Sequence, residues 1–317
     1  MIIDIPSPSS FENVANNLLL SAWQNLVKLF KSYEEFKELK HYDPDLIDQE
    51  KLGMFWRFER PILDSSLALV QQAVEFYLKG RIVGVSPFLI IGKEPRHWPN
   101  GCNKTDISFS EFRTIDAQDL IKVHDTVAEN KLSPTFANFY SELRKKRNAI
   151  MHTVDSNLTV VPEELATSIL TVHSEMIGEK RWINSLISLL RSSTQYQILK
   201  DGVSDSDSYV YAECHEQFAL VVNNLKPSLV KKFFNFDKKA TSLECHHCIG
   251  IIENCEFYDT KWLDDYIPTL QKLESETDRY RCAICENEFC FDSTPCEDCD
   301  RISIASENGK CVWCKDS

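Results

Sequence analysis

Residues 61–85 read PILDSSLALVQQAVEFYLKGRIVGV. Leu63, Leu67, Val70, Val74, Tyr77, Leu78, Ile82 and Val85 recur three or four positions apart, which traces one stripe of a helix rather than the alternation of a strand. Pro61 suits a first helical turn, where its missing N–H costs nothing, and Pro87 closes the run. The same period continues outward. Leu18, Leu19, Trp23, Leu26, Val27 and Phe30 mark a preceding helix, expected to start near Ser9, which has capping-box spacing to Glu12. Downstream, Pro95, Trp98-Pro99 and Asn100-Gly101 make residues 88–114 a loop with short extended pieces. Further helices are expected over 116–129, from Ser133-Pro134 to about His152, and, as one long element, over 162–191 with Leu165, Ile169, Val172, Met176, Trp182, Ile183, Leu186 and Leu190 as its apolar positions. The run DGVSDSDS at 201–208 reads as a polar linker, Tyr209 to Val222 as strand-like, and Lys226 to Lys239 as a basic, aromatic bridge.

Composition sets the bounds. A chain of 317 residues holds one sizeable core plus a smaller unit, and only nine glycines argue against a turn-rich all-β fold. No apolar run reaches the roughly 18 residues needed to span a bilayer, so no membrane association is expected. The start, MIIDIPSPSSFENV, lacks a basic segment followed by an apolar one, so a cytoplasmic location with reduced thiols is expected. The net charge of −13 is uneven: residues 241–317 carry −10 and residues 1–240 only −3. The acidic tail repels phosphates at long range, so RNA, if bound, is expected on the helical part.

Eight of the twelve cysteines fall into four Cys-x-x-Cys pairs: Cys245/Cys248, Cys282/Cys285, Cys296/Cys299 and Cys311/Cys314. Two intervening residues let a tight turn offer both sulfurs to one metal, and two such turns complete a tetrahedron with Zn–S bonds of about 2.3 Å. Two structural zinc ions are expected. Sequential pairing gives Cys245, Cys248, Cys282 and Cys285 to one, and Cys296, Cys299, Cys311 and Cys314 to the other. Interleaved pairing, with the first and third pairs joined, stays open. The second set, with Asn308-Gly309 as a turn, looks like a compact zinc ribbon. Four-cysteine sites leave no position for water, and their binding energy folds segments too small to support themselves. His246, His247, Cys255 and Cys290 are read as bystanders. No His-Glu-x-x-His, no Ser-His-Asp set and no phosphate-binding glycine loop is present.

The expected fourth helix ends Leu143-Arg144-Lys145-Lys146-Arg147-Asn148-Ala149-Ile150-Met151-His152. Four residues separate Arg147 from His152, and a polar residue, Asn148, follows the arginine. This resembles the Arg-x(4–6)-His motif of the HEPN family, over about residues 60–195, and Gln71 to Lys79 resembles the first helix of such domains. The resemblance implies a mainly α fold: a HEPN-like helical bundle over 59–200 behind an N-terminal helical extension (1–58). A linker with a short hairpin or helix (201–240) and a small C-terminal zinc-ribbon, β-hairpin module (241–317) complete the expected organisation.

The resemblance also implies a homodimer and metal-independent RNA cleavage. One His152 would take the proton from a ribose 2′-hydroxyl, and the partner's His152 could protonate the leaving 5′-oxygen, since imidazole titrates near neutrality. Arg147 would neutralise charge on the phosphorane, Asn148 would orient, and Arg144, Lys145 and Lys146 would hold flanking phosphates. The products would be a 2′,3′-cyclic phosphate and a 5′-hydroxyl. Growth-arrest toxins and antiviral effectors occur in this family. Members silenced by nucleotide transfer carry a tyrosine two residues after the histidine, where this chain has Val154. On an ideal helix Arg147 and His152 lie about 140° apart, so one phosphate can meet both only if the helix frays near His152 or a second chain contributes. An arginine on an apolar stripe is costly unless paired, which places Arg147 at a cleft. The alternative readings are a basic helix end facing solvent with His152 as its cap, an ordinary Glu75–Lys79 ion pair, and a non-catalytic HEPN-like scaffold or RNA-binding protein whose acidic zinc module recruits a protein partner.

Overall fold

The computed structural model of the protein describes residues 1–42, 48–152, 160–178, 181–202, 206–253, 267–273, 278–295 and 302–304. Among them the chain is mainly helical, and it forms two compact units, Met1–Gly178 and Glu179–Ser317. No helix is long and apolar enough to cross a membrane.

The first unit is built on two long helices, α1 (Pro8–Tyr42) and α2 (Gln49–Val85), packed along each other. α3 (Leu120–Val127), α4 (Pro134–His152) and α5 (Pro162–Ile177) pack on α2. The stripe of α2 is buried from Leu63 to Val83, while Val85 at its end is exposed. Trp23, Leu19 and Leu26 of α1 are fully covered, so α1 belongs to the core of this unit and is not an extension of it. Tyr77 Oη donates to Asn16 Oδ1 at 2.5 Å, and Asn25 Nδ2 to Ser66 Oγ at 3.0 Å, which fixes the pair in register. Strand β1 (Ile2–Ile3) pairs in parallel with β2 (Ile107–Ser108) in the 86–119 connection.

Both long helices start earlier than expected. Pro8 takes the first position of α1, so the cap is Ser7, whose Oγ accepts from Ser10 N at 3.1 Å, and Ser9 lies inside the helix. α2 begins at Gln49, capped by Asp48, whose side chain accepts from Lys51 N at 2.8 Å. Pro61 is therefore an interior residue, at the cost of one backbone hydrogen bond. Aromatic packing offsets that cost. Phe36 stacks on Phe55 with centroids 4.9 Å apart and Tyr33 meets Trp56 at 5.0 Å, holding the stretch before Pro61 against α1.

The long helix expected over 162–191 is two helices. α5 stops at Gly178, whose φ of +80° and ψ of −121° suit only a residue without Cβ. α6 (Trp182–Arg191) opens the second unit. The helical bundle thus closes at Gly178 rather than at residue 200. α7 (Thr194–Gly202) and α8 (Ser206–Asn224) occupy most of the expected linker. Tyr209 to Val222 is helical, not strand-like: Val210, Tyr211, Cys214, Phe218, Val221 and Val222 are buried at helical spacing, and buried His215 and Gln217 between them blur the period in sequence.

α9 (Pro227–Phe234) and α10 (His246–Glu253) join α8 in this unit. Ser208 Oγ donates to the Ile251 carbonyl at 2.6 Å, tying α8 to α10. A five-stranded antiparallel sheet runs in chain order: β3 (Ser242–Leu243), β4 (Leu270–Lys272), β5 (Arg279–Cys282), β6 (Glu288–Pro295) and β7 (Ile302–Ile304). Leu270 faces Cys282, and Arg281 faces Glu288 across the β5–β6 turn. The cysteine region thus shares its compact unit with α6–α9 instead of forming a separate module from residue 241.

Candidate metal centre and candidate nucleic-acid site

Cys245 precedes the first turn of α10 and Cys248 lies within it, while Cys282 ends β5 and Cys285 sits in the turn to β6. The two pairs meet: one ligand atom from each of the four lies within 4.8 Å of the others. Cys245 Sγ to Cys285 Sγ is 3.8 Å, and Cys248 Sγ to Cys282 Sγ is 3.8 Å. Sulfurs at the corners of a tetrahedron with bonds of about 2.3 Å stand about 3.8 Å apart. A disulfide needs about 2.05 Å. The quartet therefore has the shape of a metal cage, and it is the sequential pairing that the chain brings together. Cys245, Cys248 and Cys282 are buried.

Burial opposes ionisation of Cys282, yet contacts from Cys245, Cys248, Cys285 and Thr269 hold it well below the usual thiol range. Cys248 is pushed up by its contacts with Cys245, Cys282 and Cys285 and by burial. Four sulfurs crowded together cannot all be thiolates unless a cation replaces their protons. Outside the quartet, Thr269 Oγ1 lies 3.2 Å from the Cys282 sulfur, and the Ile284 amide donates to it at 3.3 Å. His246 lies edge-on to Phe289 at 4.5 Å, Cys290 is exposed, and neither belongs to the quartet. Cys255, Cys296, Cys299, Cys311 and Cys314, with the expected second site, lie outside the described residues.

Glu286, at φ +59° just after Cys285, ties the turn to α6. Its Oε2 accepts from Asn184 Nδ2 at 2.5 Å, and its carboxylate pairs with Arg181 and Arg281, each at 3.3 Å. Burial and the neighbouring Arg281 lower the Arg181 pKa, while Glu286 opposes them. The metal turn is therefore held by a charged clasp as well as by its cysteines.

The second candidate site is on α4. Phe136, Tyr140 and Leu143 bury one face of that helix. Arg144, Arg147 and Asn148 turn to a cavity of about 230 Å³, which Gln71 and Glu75 of α2 and residues 116–118 also line. Arg147 Nη1 donates to Asn148 Oδ1 at 3.1 Å, and its Nε is buried without a hydrogen-bond partner. His152 is exposed at the end of α4. The helix is continuous through His152, so it does not fray before that residue. Arg147 and His152 of one chain thus keep the angular separation of a regular helix, and His152 is not among the cavity's lining residues.

The other cations of the motif are partly engaged. Lys145 pairs with Glu142 at 2.7 Å and Lys146 with Glu164 of α5 at 2.5 Å. Glu75 and Lys79 do not pair as expected. Glu75 accepts from Gln71 Nε2 at 2.5 Å, and Lys79 donates to Thr114 Oγ1 at 3.1 Å. Sequence reasoning missed the cavity's α2 floor. Gln71 and Glu75 share one helical face, a signal present in the sequence, but pairing that face with Arg144 needs the tertiary fold. Val154 lies outside the described residues. No protein-family model, no curated protein and no solved structure matches this chain.

Proposed function

We propose that the protein is a metal-independent endoribonuclease, active as a homodimer, with a structural zinc in the Cys245–Cys248–Cys282–Cys285 cage. The observation that carries the nuclease reading is the state of Arg147. It is half-buried at a cavity, its Nε is unpaired, and among the described residues no carboxylate holds its guanidinium. A charge kept there without a carboxylate partner is a charge reserved for an anionic ligand. The exposed imidazole of His152 supplies an acid–base group on the same helix.

Because α4 is unbroken, the phosphate that meets His152 of one chain meets the partner's Arg147. His152 takes the 2′-hydroxyl proton as that oxygen attacks phosphorus. The partner's guanidinium neutralises the charge gathering on the phosphorane oxygens, and water protonates the departing 5′-oxygen while the proton on His152 returns to solvent. The chain carries this chemistry with no catalytic metal motif in its sequence. Four thiolates suit zinc, which here supplies folding energy rather than catalysis. Cys296, Cys299, Cys311 and Cys314 would form a second such site. RNA is the substrate, and growth arrest or antiviral defence is the biological role this chemistry fits.

Cleavage of a mixed RNA pool by the zinc-loaded chain, in a brief assay with EDTA present, tests the reading. Arg147→Ala and His152→Ala are each expected to lower the rate by at least about 100-fold, the scale of one acid–base or oxyanion group. No cleavage by the intact dimer on any RNA favours the scaffold reading instead, in which the bundle dimerises and the acidic cysteine region recruits a protein. The internal pairing of Lys145 and Lys146 leans toward that second reading, because it removes two cations from phosphate binding.

A further inference from the structure

We infer that the cavity beside Arg147 is a base-recognition pocket and that the base it selects is guanine; this rests on the ribonuclease reading. Its lining carries two guanidiniums, Arg144 and Arg147, and two carboxylates, Glu75 and Asp116. A phosphate placed inside would be attracted by one pair and repelled by the other. A neutral ring offering both donors and acceptors suits such a lining far better.

The hydrogen-bond inventory narrows the choice. Asp116 is tied to Arg113 at 3.0 Å. Glu75 is not tied to a cation among the described residues, and its one partner is the amide of Gln71, 3% exposed, which donates to Oε1 and fixes the carboxylate. Arg144 has no partner among the described residues, although it stands close enough to Tyr140 to oppose the upward push that burial and Glu75 give the phenol. The cavity thus presents one oriented carboxylate and one free guanidinium fork.

Guanine answers both at once. Its N1–H and N2 amino group donate side by side to a carboxylate, and its O6 and N7 accept side by side from a guanidinium. Adenine, cytosine and uracil each place at most one ring-edge donor against the carboxylate beside an acceptor, which would face Glu75 unpaired. Leaving a charged group unsatisfied in this way costs about tenfold or more in affinity. Arg147, on the α4 turn after Arg144 toward His152, remains for the adjoining phosphate.

Calorimetric titration of the full, zinc-loaded chain with GMP, AMP, CMP, UMP and inosine monophosphate tests the pocket. GMP is expected to bind at least about tenfold more tightly than the other three standard nucleotides. Inosine monophosphate keeps O6, N7 and N1–H but lacks the N2 amino group, and is expected to bind about tenfold more weakly than GMP. That comparison needs no substitution, so it stands even if a variant fails to fold. Glu75→Gln should erase the preference for GMP. Equal binding of the four nucleotides, GMP and inosine monophosphate binding alike, or no heat with GMP at millimolar concentration overturns the pocket, whether or not the chain cuts RNA. GMP selected by a chain that cuts no RNA would support the pocket and sink the nuclease.

Discussion

His173 sits on α5 with 2% of its surface exposed, and burial lowers its pKa from 6.5 to about 4. Between those values the unfolded chain binds a proton that the folded chain refuses. Stability from this group is therefore complete above about pH 6.5 and declines as the pH falls toward 4. The loss is on the order of 2 kcal/mol by pH 5. Urea unfolding of the wild type and of His173→Gln at pH 7 and pH 5 measures it. The variant should lose less stability between the two pH values. An equal loss in both proteins would assign the acid sensitivity to other groups. His124 is buried as deeply, and its Nδ1 lies 2.8 Å from Asp125 Oδ1. The two histidines look alike in sequence, as lone helical positions, and only packing separates them. Arg147 was legible in a fuller sense. An arginine on an apolar stripe has to find a cleft, and it lines one. Its neighbour Glu75 was misread as half of an intrahelical pair, because an i, i+4 spacing does not reveal that Thr114 stands nearer to the lysine.

At the scale of elements, α10 and the β5–β6 turn are too short to order themselves. They enclose Cys248, Ile249, Ile252 and Ile284, a small apolar set, around the four sulfurs. A metal held there would then supply folding energy, as expected for a four-thiolate cage. Cys248→Ser is expected to lower bound zinc by about one equivalent per chain and to lower the melting temperature of the second unit by more than about 10 °C. Trp182, buried in α6, is the natural reporter, since Asn184 and Arg181 link that helix to Glu286 of the metal turn. Cys290→Ser, outside the quartet, should change neither quantity. Unchanged metal content in Cys248→Ser would refute the cage. The cysteine pairs were readable because two-residue spacing is a local geometric requirement. The sheet strands β3 and β4, of two and three residues, were not, because so short a run carries no period. α4, with one buried face, was readable to within a turn. α8, covered on several faces, was not.

At the scale of the whole molecule, the question is how many chains make one site. A regular helix advances 100° per residue, so Arg147 and His152 point about 140° apart and rise about 7.5 Å relative to each other. An arginine side chain cannot close that angle around its own helix while its Nε stays buried at the cavity. Two copies of α4 related by a two-fold axis can set the histidine of one against the arginine of the other, and such an interface is self-complementary by construction. A mixing experiment reads this out. Arg147→Ala chains keep His152, and His152→Ala chains keep Arg147, so neither homodimer holds a complete pair. In an equal mixture half of the dimers are mixed, and each mixed dimer restores one of its two composite pairs. Activity should return to roughly a quarter of wild type. Dilution below the dimer dissociation constant should abolish what returns, because the site is then taken apart. A mixture no more active than the separate variants, from chains shown by ultracentrifugation to exchange partners, would place both groups in one chain and contradict the unbroken helix.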